Sequence, residues 1–105
     1  MNLTLPTTLV LQALAVGHQY GFDVMDATGL PSGTVYPVLR RLEKEGLVRA
    51  DWEEAQAARD EQRPPRRYYE LTGAGEALLA AGLARYRMPR EVPRASGFKP
   101  SPSRS

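Results

Sequence analysis

Two groups of residues have chemistry that goes beyond packing. Arg40, Arg41 and Lys44 recur at helical spacing, and Arg63, Arg66 and Arg67 gather around Pro64-Pro65. Such cations can bond phosphate oxygens, and a guanidinium can also take both acceptors of a guanine edge. Catalysis has far less to work with. His18 is the only histidine and cysteine is absent, which excludes disulfides, thiolate metal sites, a cysteine nucleophile and a multi-histidine metal centre. His18 falls in a connection with no evident partner and reads as a loop or packing residue, while Asp23 and Asp26 read as ordinary helix acids. The chain is therefore expected to be no enzyme and to need no cofactor or metal.

The elements that must position these cations follow from apolar spacing and punctuation. Pro6 in a first turn and the run Leu9 to Val16 predict a helix stopped by Gly17. Tyr20 to Thr28 predicts a short second helix before Gly29. A third runs from Ser32, read as its N-cap, to about Glu45, and Gly46-Leu47 form its C-terminal cap. Pro37 predicts a local irregularity there but no break. Leu47 to Glu53 and Arg66 to Thr72 read as paired strands, with Glu54 to Pro65 as a long loop at the tip. Thr72 then caps a fourth helix over 73–87.

Advancing about 100° per residue from Val35 groups Val35, Val38, Leu39 and Leu42 within about 60° of one another. Gly33, Tyr36, Pro37, Arg40, Arg41 and Lys44 fall opposite, which is what a helix entering a major groove requires: cations, one aromatic, and small residues for close approach. The alternative is a solvated face partly neutralised by Glu43 and Glu45. At the hairpin, stiff prolines can hold Arg63, Arg66 and Arg67 over a backbone or in a minor groove. Alternatively Asp60 and Glu61 satisfy them, most readily Arg63.

Helix, short helix, helix and hairpin form a winged helix-turn-helix order: a mainly α fold with a small antiparallel β-hairpin and one more helix behind it. The sequence resembles the PadR family of transcriptional regulators. Tyr20-Gly21-Phe22-Asp23, Gly33-Thr34-Val35-Tyr36-Pro37, Leu42-Glu43-Lys44-Glu45-Gly46-Leu47 and Pro65-Arg66-Arg67-Tyr68-Tyr69 carry the likeness, which covers roughly residues 5–80. It implies a repressor of neighbouring genes, a homodimer on a palindromic double-stranded DNA operator, released by a small-molecule effector. By matched position it assigns Ser32, Gly33, Thr34, Tyr36, Pro37, Arg40, Arg41 and Lys44 to the recognition helix, and Arg66 and Arg67 to the wing. Tyr36 has an equal reading as a half-buried packing residue. Trp52 reads as a packing or dimer residue, or as a wall of an effector pocket. A winged-helix adaptor that binds protein without specific DNA binding is the competing function.

The 105 residues allow one domain, expected over 1–88 with a dimerisation helix at about 73–88. On that last helix Leu79, Leu83 and Tyr86 share one side and Ala74, Ala77, Leu78 and Ala81 another, so one side is expected to meet its own core and one a partner. Leu79, Leu83 and Tyr86 are assigned to the dimer. Residues 1–84 hold eight Lys/Arg against eleven Asp/Glu, whereas 85–105 hold six against one. The pI of about 9.2 therefore reflects a basic Pro/Ser-rich segment, 89–105, expected to be a disordered tail. The apolar start has no preceding cation and is interrupted by polar residues, so it reads as an internal helix and not a signal peptide. No apolar run approaches the ~18 residues of a membrane span, and a cytoplasmic location is expected.

Overall fold

Three helices form the frame: α1 (Leu5–Ala15), α2 (Gly21–Thr28) and α3 (Ser32–Lys44). The computed structural model describes residues 3–88, so the predicted tail lies outside the described residues. Thr4 caps α1 by accepting from the Thr7 N–H at 3.3 Å, and Pro6 occupies the first turn, where no donor is missed. α1 is the central helix: Val10, Leu11 and Leu14 meet Val24 of α2 and Val35, Leu39 and Leu42 of α3 in one buried cluster. Its buried Thr8 hydroxyl donates back to the Thr4 carbonyl at 3.0 Å, so the polar group is satisfied.

The α3 helix ends as its sequence requires. Gly46 takes φ 75°, the Leu47 N–H reaches the Leu42 carbonyl at 2.9 Å, and the Gly46 N–H reaches that of Glu43 at 3.0 Å. Its start differs from expectation. Pro31 holds the N-cap place with no side-chain cap, and Ser32 is already the first helical residue. Pro37 sits inside a continuous helix.

Strand β1 (Val48–Trp52) pairs antiparallel with β2 (Arg67–Leu71), with Ala50 opposite Tyr69. An isolated bridge between Tyr20 and Tyr68 and a 2.8 Å bond from the Tyr69 N–H to the Gln19 carbonyl attach the approach to α2 to the same sheet. The predicted tip loop holds a helix instead, α4 (Ala55–Asp60). Ala55, Ala57, Ala58 and Gln56 are good helix formers, Ala58 is fully buried, and its carbonyl accepts from the Arg63 N–H.

The last helix, α5 (Gly73–Tyr86), is capped by Thr72, whose hydroxyl accepts from the Gly75 N–H at 3.1 Å. It packs on α1 at Gly82, where an added Cβ would come within 2.8 Å of Thr8 Cγ2. This packing takes Leu79 out of a partner's reach, against its assignment to the dimer. Leu79 is fully buried in its own core, Leu83 packs against that core, and the Tyr86 hydroxyl donates to the Leu3 carbonyl at 3.0 Å. The side bearing exposed Ala74, Ala77 and Ala81 is the one left open. Among the described residues no helix is long and apolar enough to cross a membrane.

Candidate nucleic-acid interface

Burying Val35, Leu39 and Leu42 of α3 turns its other side outward. Ser32, Gly33, Pro37, Arg40, Arg41 and Lys44 are all exposed, and Thr34 is half-buried. Neither arginine, nor Lys44, is ion-paired with another described residue. The sequence-predicted face is thus assembled as one surface with three cations available to a partner.

Tyr36 lies on the flank of that face and is 37% exposed. A Cβ placed on the buried Gly21 would collide with the Tyr36 ring. The ring therefore packs onto the backbone at the start of α2, which favours the packing reading and sets how closely α2 and α3 approach.

The wing arginines are differently placed. Arg63, with its side chain 22% exposed, forms a two-pronged ion pair with Glu53, one bond measuring 2.7 Å, and a further bond to Glu61 at 3.3 Å. The Glu53 carboxylate also accepts from the Arg66 N–H at 3.2 Å. Chiefly because of Arg63, its pKa is held down from 4.5 to about 2. Arg63 was expected to be a candidate for DNA; its guanidinium is committed to holding the wing together. Asp60 and Glu61 are acids close to Arg63 in sequence, but its principal partner, Glu53, is ten residues away along the chain.

Arg67 bonds Glu43 of α3 at 2.8 Å and stands 5.4 Å from the Trp52 ring centroid, tying the wing to the recognition helix. Trp52 itself is 59% exposed, which corrects its reading as a packing residue. Arg66 alone of the three is without an acidic partner among the described residues, and its guanidinium lies 4.0 Å over the Tyr20 ring. Tyr20 has no cation or motif of its own to mark it, and only its place in the family-like stretch singled it out. Among the described residues, no group of three or more His, Asp or Glu is placed to hold a metal.

The family profile described as "Transcriptional regulator PadR-like family" matches residues 10–81, most of the chain and all of this surface. The chain belongs to the PadR-like family. Members of this family are transcriptional regulators and not enzymes. The chain is similar to a PadR family transcription regulator from hypervirulent Clostridium difficile, at 24% identity over 80% of this chain and 88% of that one, with a TM-score of 0.69. It is also similar to a PadR-like transcription factor from Bacteroides fragilis, at 30% identity over 79% of this chain and 80% of that one, with a TM-score of 0.60. A third similar structure is Bordetella bronchiseptica BpsR, described in terms of regulation of its DNA binding by 6-hydroxynicotinic acid. There the identity is 25% over 80% of this chain, which spans 58% of BpsR, and the TM-score is 0.61. No curated protein matches the chain. This PadR-like protein thus carries the winged helix-turn-helix fold of a DNA-binding regulator.

Proposed function

We propose that this PadR-like regulator is a sequence-specific repressor that binds a palindromic double-stranded DNA operator as a homodimer. The observation that carries this reading is the outward face of α3, where Arg40, Arg41 and Lys44 have no ion pair with another described residue and stand beside the small residues Ser32 and Gly33. Gly33 and Ser32 let the helix start approach base edges, and the cations supply phosphate or guanine contacts. Thr34 and Pro37 complete the helix contact surface, Tyr36 borders it as a packing residue, and Arg66 adds the wing. The dimer uses the outer side of α5, where Ala74, Ala77 and Ala81 are exposed, because the opposite side is filled by its own core. The regulation of BpsR by 6-hydroxynicotinic acid supports release of this protein by a small-molecule effector.

The test is fluorescence-anisotropy titration of DNA from upstream of its own gene and of an unrelated duplex of equal length, each across a salt series. Tight, competitor-resistant binding to the upstream DNA is expected. Equal, weak binding to both that vanishes with salt rejects the local-repressor reading and favours an adaptor.

A further inference from the structure

We infer that Tyr20 is a positioning residue: its ring is the platform that holds the Arg66 guanidinium in a hollow beside the recognition helix, where Arg66 takes one DNA backbone phosphate. This rests on the DNA-binding reading above and names the chemistry of one part of that surface.

The hollow has a volume of about 190 Å³ and is walled by Tyr20, Phe22, Tyr36 and Tyr69 with Arg66 and Arg67. It lies between the start of α2, the flank of α3 and the base of the wing. Charge inside it is unequal. Glu43 compensates Arg67, whereas Glu53 is ion-paired with Arg63; it also attracts the Arg66 charge, but its hydrogen bond with Arg66 is at the backbone N–H. Among the described residues, the Arg66 side chain is therefore the cation in the hollow that has no ion pair of its own.

Its platform is braced from several directions. The Tyr68 ring meets Tyr20 edge-on, at 6.5 Å and 72°. The Tyr20 hydroxyl reaches Glu53 Oε2 at 3.5 Å, and the Tyr20–Tyr68 bridge fixes its backbone to the wing. A guanidinium resting on an aromatic face keeps its N–H edge free, and that planar fork matches two phosphate oxygens. Stacking also removes much of the rotamer freedom that a solvated arginine would lose on binding. Phosphate, and not a base edge, is the ligand because Arg66 belongs to the wing and not to the recognition helix, and contacts made from outside that helix go chiefly to the DNA backbone.

The experiment measures the slope of log affinity against log salt for a mixed-sequence duplex, using the full chain and the variants Arg66→Ala, Tyr20→Leu and Tyr20→Phe. Loss of one phosphate contact flattens the slope by about 0.9. That loss is expected for Arg66→Ala and Tyr20→Leu, with no further loss in the double variant, while Tyr20→Phe keeps the full slope because it keeps the aromatic face. Arg66 is exposed, so its variant tests the contact even if Tyr20→Leu fails to fold by circular dichroism. An unchanged slope in Arg66→Ala overturns the phosphate contact. A full slope in folded Tyr20→Leu overturns the platform. If the parent protein shows no salt-dependent DNA binding at all, the DNA-binding reading itself fails, and the inference with it.

Discussion

The recognition helix and the wing both carry cations, but they hold them in opposite ways. On α3, Arg40, Arg41 and Lys44 project from a side whose reverse is filled by Val35, Leu39 and Leu42, and no described acid pairs with them. In the wing, Glu53 takes Arg63, Glu43 takes Arg67, and the Tyr20 ring carries Arg66. The lesson is that a count of basic residues is a poor measure of a binding surface. The acid that α3 does carry, Glu43, is taken by Arg67 of the wing and does not hold the helix's own outer cations back. A hairpin with one or two half-buried acids uses its arginines to build itself, because an excluded carboxylate needs a paired cation.

The comparison is broken most severely by moving the helix itself. Gly21→Ala places a methyl group where the Tyr36 ring lies, so the ring must be displaced or α2 and α3 must separate. A loss of about 1–3 kcal/mol in stability is expected from such overpacking, read by thermal denaturation, together with weakened DNA binding. An unaltered melting temperature would mean that Tyr36 swings away freely and does not set the helix spacing.

Next in size is the removal of single α3 cations. Arg40→Ala or Arg41→Ala is expected to cost about 1–3 kcal/mol at one operator position if the side chain reads a base. Anisotropy on an operator and on single-position variants separates this from a phosphate contact, which weakens all sequences alike and flattens the salt slope. The double variant Arg63→Ala/Glu53→Gln, which removes the pair without freeing a carboxylate beside Arg66, is expected to leave that slope as it was, since the Arg63 charge already belongs to Glu53 and Glu61. A flattened slope would place Arg63 on DNA after all.

The smallest effect is expected in acid. Glu53 is held at about pKa 2 in the folded wing against an ordinary 4.5. Its contribution to stability is therefore complete above about 4.5 and is lost as pH falls from there through about 2. Trp52, the only tryptophan and the residue before Glu53, reports the change by its fluorescence. In Arg63→Ala the same transition is expected to move up toward the ordinary carboxylate range. An identical acid profile in both proteins would show that Glu53 does not anchor the wing.

The amino-acid sequence by itself determined the order of helices and strands, the apolar stripe of α3 and its cationic reverse, and the two caps at Gly46 and Thr72. These are local matters: helical spacing, glycine at positive φ and a hydroxyl within reach of nearby N–H groups are all written within a few residues. The helix over Ala55–Asp60 was equally local, but its six residues lie in a polar stretch and only Ala58 is buried, so apolar spacing gave it no mark. Only the tertiary structure decided which cations are free and which side of α5 is open. Arg63 and Glu53 are ten residues apart, Arg67 and Glu43 twenty-four, and Arg66 rests on Tyr20 from a distant part of the chain. Leu79 and Ala77 look alike on a helical wheel as apolar residues, and α1 packing against one side of α5 buries the first and leaves the second in solvent. Pairings and burial of this kind depend on distances in space between segments, which residue order does not carry.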